Sequence, residues 1–170
     1  MSMELLVLRA LHVMGGVFWA GGGIYATLFI TPALMAAGPA AGPIVAEMQR
    51  RKLFTVLPIV AILTMLSGLR LLWIVSGGFS AAYFGTTQGL TYAVAGGASI
   101  LGFFLALLVS RPAGVRLAQI AATLDSLDPA ARAAALETTA RLKRQAALGS
   151  AAAIWLLTIA VGGMAVARYL

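Results

Sequence analysis

The sequence predicts an all-α integral membrane protein, a bundle of four helices that cross the lipid bilayer. Of its 170 residues, 61% are hydrophobic and only 10% are charged, whereas a soluble domain usually carries about 25% charged residues. A soluble chain of this length cannot hide so much apolar surface in its own core. Four apolar segments are also long enough to cross a hydrocarbon layer roughly 30 Å thick. The lipid bilayer is therefore a predicted partner.

Four transmembrane spans are predicted within a single membrane domain that covers residues 1–170. The spans are residues 5–30, 53–75, 89–109 and 146–167. Pro32 is expected to end or bend the first span, because proline removes a helical hydrogen bond. The apolar run that follows Arg9 is too long for the apolar region of a cleavable signal peptide. The first span is therefore expected to be retained.

The distribution of charge predicts the orientation of the spans. Nine of the twelve Lys and Arg residues lie in the connections between spans one and two and between spans three and four. The loop between spans two and three carries no charge. The positive-inside rule then places both basic connections in the cytoplasm and both termini outside. The formal net charge is +7, and the basic residues flank apolar spans. Anionic lipids at the cytoplasmic face, rather than nucleic acid, are therefore the expected partners.

The connection between spans three and four is predicted to be helical. Leu117, Ile120 and Leu124 recur at helical spacing, and Asp128-Pro129 is typical of an N-cap followed by proline at the first helical position. No helix breaker follows before Gly149. Residues 111–145 are therefore expected to form a cytoplasmic helical hairpin that extends spans three and four.

His12 is the first candidate for a functional residue. It is the only histidine, and residues 10–46 contain no other ionisable side chain except Tyr25. An ionisable group inside a membrane helix costs roughly 2.5 kcal/mol or more, so such a residue is a functional-site hypothesis. His12, Gly16 and Trp19 fall along one face of the helix. The glycine leaves room for a flat ligand to approach the backbone.

The predicted orientation brings arginines to the same leaflet as His12. Arg9 lies on the first span and Arg70 near the outer end of the second. An imidazole for the iron and arginines for the propionates suit a b-type haem, with His12 as the metal ligand. Met164, on the fourth span, has the best depth for a second ligand. Met14 points away from the His12 face and Met65 lies deeper.

A structural role explains the same residues without a ligand. Arginines near the ends of spans snorkel to the interface, and Glu4 can pair with Arg9 along the same helix. His12 can donate a hydrogen bond to a carbonyl or a hydroxyl across the bundle. Both interpretations stay open at the level of the sequence.

Several kinds of chemistry lack their residues in this chain. It contains no cysteine, which excludes disulfides and thiolate sites. No carboxylate lies within a predicted span, and there is no phosphate-binding glycine loop or zinc-binding histidine motif. Little catalytic material remains, so the sequence leaves enzymatic activity uncertain and favours a protein that is not an enzyme.

The stretch from Leu11 to Gly22, with Leu-His followed by glycines and Trp19, resembles the first helix of the CopD-like group of small bacterial membrane proteins. The group includes copper-resistance proteins, the HemJ-type protoporphyrinogen oxidases and uncharacterised four-helix relatives. The resemblance implies a bacterial inner membrane, so that the termini placed outside by the charge distribution would be periplasmic, and it implies that His12 is the equivalent of a histidine that ligates haem in the HemJ-type enzymes. The HemJ-type enzymes also use an intramembrane lysine, whereas Lys52 and Lys143 lie outside the spans.

Two functions follow as expectations. The first is a haem-associated redox function, or another haem- or copper-related function, through His12. The second is a non-catalytic accessory subunit of a larger membrane complex of respiratory or photosynthetic type, with other membrane subunits as partners.

Overall fold

The computed structural model describes residues 2–170, apart from the side chains of Pro39 and Asp125. Every regular element in this range is a helix. Four helices are long and apolar enough to cross a membrane, as the sequence predicts. They are α1 (Met3–Ala37), α3 (Leu53–Val75), α5 (Thr87–Thr123) and α6 (Pro129–Val166). Two short helices, α2 (Gly42–Arg50) and α4 (Ala81–Phe84), lie between them in the sequence.

The bounds of α3 coincide with the predicted second span, whereas α1 extends beyond the predicted end of the first span. Pro32 lies inside α1 and does not end it. The turn before it, Ala26–Ile30, is π-helical. A π turn accommodates a proline, because proline lacks an N–H and its ring crowds the carbonyl four residues earlier. Of the two effects expected of Pro32, the end of the helix is therefore not observed, and the local irregularity is the π turn before it.

The same device recurs in α5, where the π-helical turn Ala106–Ser110 precedes Pro112. The helix continues past this proline to Thr123. A short 3₁₀ turn, Leu124–Ser126, then follows. The expected helical character of the segment after the third span is thus observed, with the helix ending slightly earlier than its leucine pattern indicates.

The start of α6 follows the capping pattern predicted from the sequence. Asp128 Oδ1 accepts hydrogen bonds from the backbone N–H groups of Ala130 at 3.0 Å and Ala131 at 2.9 Å. These bonds satisfy donors that the first helical turn leaves unpaired. From Pro129 the helix continues to Val166, through Gly149. It is therefore longer than the membrane-crossing segment alone requires.

The chain forms two compact units. The first comprises residues 1–100 and 157–170, and in it α1 packs along α3. Its buried side chains include Trp19, Ala61 and Ala95. Because Ala and Gly allow backbones to approach closely, this is the kind of contact by which helices associate in lipid.

The second unit comprises residues 101–156. Ala113, Leu142 and Ala153 are buried in it. At Gly149 an added Cβ would lie 2.8 Å from Ser110 Oγ and 3.0 Å from a Val109 methyl group. The contact between α6 and the end of α5 within this unit therefore requires a residue without a side chain.

Candidate functional site

The candidate site begins at an irregular turn of α1. Residues Val17–Gly21 are π-helical, although no proline follows closely, unlike in the other two π-helical turns. This turn buries Trp19, which is 8% exposed, and Ala20, on a helix that is otherwise largely exposed. Isolated π turns are frequent at functional sites. This one directs an aromatic ring inward, less than two helical turns after His12.

Two glycines bring α1 and α3 into close contact beside His12. A Cβ at Gly15 would overlap Thr64 Oγ1, and one at Gly68 would lie 2.6 Å from His12 Cε1 and 2.8 Å from Nδ1. Neither position accepts a larger residue without movement of its neighbour. The ring of His12 therefore lies directly against the backbone of α3.

The hydrogen bonds of His12 fix its tautomer. Its Nδ1 lies 2.8 Å from the backbone carbonyl oxygen of Thr64, which also accepts a hydrogen bond from Ser67 Oγ at 2.9 Å. A carbonyl oxygen only accepts, so Nδ1 carries the hydrogen and donates it. In the neutral ring Nε2 then presents a lone pair. Histidines that ligate metals are usually held in this way through their other nitrogen.

His12 Nε2 faces the side chain of Met164, whose Sδ lies 3.4 Å away. A thioether sulfur has no hydrogen to donate, so with the neutral ring two acceptors face each other. With bond lengths of about 2.0 Å to nitrogen and about 2.3 Å to sulfur, two ligands of one tetrahedral metal ion are roughly 3.5 Å apart. The observed separation matches that spacing.

A cavity of about 50 Å³ lies beside this pair. Its lining comes from four separate stretches of the chain: His12, Gly16, Trp19, Ala20, Thr64, Met65, Ser99, Leu157, Ala160, Val161 and Met164. Of the two hydroxyl groups, Thr64 Oγ1 donates to Val60 O at 2.8 Å and Ser99 Oγ to Gly96 O at 2.8 Å. The hydroxyl oxygens are hard donors whose hydrogens are already engaged, so the imidazole and the two thioethers are the groups in this lining that suit a soft ligand.

The structure brings together four of the six residues that the sequence indicated. His12, Gly16, Trp19 and Met164 line one cavity. Arg70 instead donates from Nε and Nη2 to Glu4 Oε1, at 2.8 Å and 2.7 Å, and Arg9 is exposed. The Glu4–Arg70 ion pair links α1 to α3, a connection that the sequence did not suggest.

The described geometry does not fit a haem. Iron ligated by His12 and Met164 on opposite faces of a porphyrin would separate the two atoms by roughly 4.3 Å, which exceeds the observed 3.4 Å. A cavity of about 50 Å³ is far smaller than a macrocycle. The guanidinium of Arg70, proposed for a propionate, is already paired with Glu4.

A larger groove of about 370 Å³ lacks chemical groups of this kind. It is lined by Leu90, Thr91, Val94, Ala95, Ile159 and Gly163. Its one hydroxyl, on Thr91, donates to Thr87 O at 2.8 Å. The smaller cavity, and not the larger groove, is therefore the candidate site.

Comparisons with known proteins leave this geometry without a counterpart. No family model, no curated protein and no solved structure matches the chain. A function must therefore be inferred from the groups that the fold brings together.

Sequence reasoning missed three contributors to the site. Thr64 acts through its backbone carbonyl, which no side-chain motif reveals. Met65, which the sequence places deeper than Met164, also lines the cavity. Gly68 was one glycine among 19, and its contact with the His12 ring depends on the register of α1 against α3. The pair Ser67-Gly68 was the one local signal, because small residues mark close helix contacts.

Proposed function

We propose that this protein is an integral membrane protein that binds a soft metal ion, with cuprous copper as the best match. His12 Nε2 and Met164 Sδ would be two of the ligands, and Met65 a third from the same cavity. One observation carries the proposal: an imidazole nitrogen, in a ring oriented by the Thr64 carbonyl, lies 3.4 Å from a thioether sulfur. That is the spacing of two ligands on a single ion.

The types of ligand favour a soft ion over a hard one. Thioether sulfur selects monovalent copper, whereas carboxylate and carbonyl oxygens suit magnesium, calcium and manganese. Among the described residues, no group of three or more His, Asp or Glu side chains could hold a metal. A set of one imidazole and two thioethers leaves monovalent copper as the biological ion of matching softness.

The surroundings of the pair supply orientation and shielding. The Thr64 carbonyl positions the imidazole, and the close packing at Gly15 and Gly68 holds α3 against it. Trp19 closes the cavity from the side of α1. Since the lining offers no free nucleophile or carboxylate, the proposed role is metal binding, not catalysis.

We also propose a location for the site. The basic connections support a bacterial inner-membrane protein with periplasmic termini and with residues 111–145 as a cytoplasmic helical hairpin beside anionic lipids. His12 and Met164 would then lie in the periplasmic half of the membrane. The resemblance of residues 11–22 to the CopD-like group agrees with this location and with a copper-related role.

The test is a metal titration of the purified protein in detergent. Cuprous copper, kept reduced, would be shared between the protein and a chromophoric chelator, and the chelator absorbance gives the amount bound. We expect one ion per chain in the wild type, none in His12→Ala, and at least about tenfold weaker binding in Met164→Leu. Met14→Leu is the matched control, because Met14 is 73% exposed and lies away from the cavity.

Two results would overturn the proposal. One is a wild-type protein that takes up no ion, or variants at His12 and Met164 that bind as tightly as the wild type. The other is a haem absorbance band in the purified protein that His12→Ala removes. Such a band would mean that the helices open around a porphyrin, and that His12 serves haem.

A further inference from the structure

The connection between α3 and α5 begins with a strained turn. Gly77, Gly78 and Phe79 all have positive φ angles, of 64°, 83° and 61°. Glycine adopts this region freely, whereas a bulky side chain there is unfavourable. The turn therefore holds a phenylalanine where the backbone favours glycine or asparagine. Strain of this kind persists only where the surrounding structure imposes it, and it points to a use for the side chain.

Two kinds of contact hold Phe79 in this conformation. Its N–H donates to Ser76 Oγ at 2.8 Å, and Ser80 Oγ donates to the Ser76 carbonyl at 2.7 Å. Its ring packs edge-to-face on Trp73, with the ring centroids 5.1 Å apart, and lies 6.3 Å from the ring of Phe84. These contacts fix the direction of the Phe79 side chain, yet they leave it 43% exposed. Packing within the turn therefore covers only part of this side chain.

The exposed part of Phe79 continues an apolar stripe on the surface of α3. Along this helix, exposed apolar side chains recur at steps of four and three residues: Ile62, Leu66, Leu69 and Trp73. Because α3 is long and apolar enough to cross a membrane, this stripe is a surface that lipid covers. Phe79 packs on the last member of the stripe. The lipid that covers the stripe therefore extends to Phe79.

The depth of Trp73 agrees with the interface between lipid and water. At about 1.5 Å per residue, Trp73 lies roughly 32 Å along the helix from Lys52, which is one hydrocarbon thickness of about 30 Å. Lys52 belongs to a basic connection, so Trp73 lies at the opposite membrane surface. Tryptophan is enriched at this depth. Residues 71–110 carry no charge that would draw the turn away from lipid into water.

We infer that residues 76–80 form a membrane anchor, in which Phe79 inserts its ring among the lipids of the leaflet opposite the basic connections. The partner of this surface is the lipid interface itself. The strained backbone directs an apolar ring along the surface of α3, where a relaxed glycine turn would offer no side chain. The anchor is separate from the His12 cavity, and the inference does not depend on metal binding.

Trp73 reports the surroundings of the anchor, and Trp19, which is 8% exposed, is a buried reference in the same protein. Protein labelled with 5-fluorotryptophan in lipid bilayers gives ¹⁹F NMR signals that substitution of each tryptophan by phenylalanine assigns. Dissolved oxygen relaxes signals in contact with lipid, and a water-soluble nickel chelate relaxes signals in contact with water. At an interface, oxygen should act on Trp73 at least about threefold more than on Trp19, and nickel at least about threefold less than on free fluorotryptophan.

Phe79→Gly removes the ring at a position where glycine fits the backbone, so the fold is retained. We expect the effect of nickel on Trp73 to rise at least about threefold, because the turn loses its contact with lipid. Phe79→Tyr is the matched control: it keeps the ring, its hydroxyl can reach water, and Trp73 should respond as in the wild type.

Three results would overturn the anchor. A Trp73 signal as open to nickel as free fluorotryptophan would place the turn in water. A signal protected from both probes, like that of Trp19, would mean that protein and not lipid covers the turn. An unchanged response in Phe79→Gly would mean that the ring of Phe79 does not hold the turn in the interface.

Discussion

The two halves of α1 use their glycines differently. In the half before the first π turn, an added Cβ at Gly15 would overlap Thr64 of α3. In the half that begins at the last residue of this turn, an added Cβ at Gly21 or Gly23 would meet nothing within 4 Å. The sequence spreads small residues over both halves, yet only the first uses them to bring a functional side chain against another helix.

This difference shows what makes the first half a candidate site. Close approach alone makes only a packing contact. Here the approach places an imidazole between a backbone carbonyl and a thioether, at 2.8 Å and 3.4 Å. A change that separates α1 from α3 should therefore remove the site, and the same change in the second half should not.

The largest expected effect comes from Gly68→Ala. The new methyl group would lie 2.6 Å from His12 Cε1, so the ring must leave the Thr64 carbonyl or the helices must separate. Overpacking of this kind typically costs 1–3 kcal/mol, and we expect about 3 kcal/mol of unfolding free energy. Thermal unfolding in detergent would measure the loss, and copper titration should show at least about tenfold weaker binding.

Gly16→Ala is the control for this change. Gly16 lines the same cavity, but an added Cβ there would lie 3.9 Å from the nearest Thr64 atom, which is ordinary contact. Its metal affinity should stay close to that of the wild type, and its stability should be unchanged or higher by up to about 1 kcal/mol, because alanine is the better helix former. Equal losses in both variants would mean that any added methyl group at this interface is harmful, and that the His12 ring is not the point of conflict.

Gly15→Ala and Gly21→Ala compare the two halves of α1 directly. The first should cost about 2 kcal/mol, because Thr64 must move its hydroxyl away from the new methyl group. The second should stabilise the helix by up to about 1 kcal/mol, because alanine is the better helix former. Unfolding of both proteins under identical detergent conditions is the measurement. A stabilised Gly15→Ala variant would contradict the described contact.

The sequence predicted α3 and the cap of α6 correctly because both depend on local signals. An apolar run flanked by Lys52 and by Ser76-Gly77 defines a helix without reference to the rest of the chain. Asp128 and Pro129 likewise act within one helical turn. Local patterns of this kind determine where helices start and stop, so the four long helices followed from the sequence.

The contacts between helices could not be predicted in the same way. Glu4 lies five residues from Arg9 in the sequence, yet it pairs with Arg70. That choice depends on the register of α1 against α3, to which hydropathy is insensitive. The place of Met65 in the cavity lining depends on the same register, which the position of Met65 along its span does not reveal. His12 and Met164, selected by chemistry and depth, do meet.

A smaller effect is expected from the Glu4–Arg70 ion pair, which joins the same two helices farther out. Both side chains are about half exposed, and exposed pairs contribute roughly 0–1 kcal/mol. A double-mutant cycle with Glu4→Gln and Arg70→Gln should therefore give a coupling energy below about 1 kcal/mol. A larger coupling would mean that the ion pair, and not the close packing at the glycines, holds α1 against α3.

The smallest effect is expected at Glu47, whose partners lie within one turn of the same segment. Hydrogen bonds from Arg50 and, to a lesser extent, Arg51 hold the pKa of the Glu47 carboxyl below its usual value. A lowered pKa in the folded state means that any stabilisation is present at neutral pH and is lost as the pH falls through that pKa. Because the carboxyl is exposed and its partners are local, the overall unfolding midpoint should not follow this titration.

The carboxyl signal of Glu47 in ¹³C NMR measures this prediction directly. Arg50→Gln should raise the pKa of Glu47 more than Arg51→Gln does, because Arg50 is the stronger of the two influences. An unfolding midpoint that fell together with this titration would show that residues between α1 and α3 also hold the two helices in place. The close packing at His12 would then not be the main contact that holds α1 against α3, contrary to the comparison between the two halves of α1.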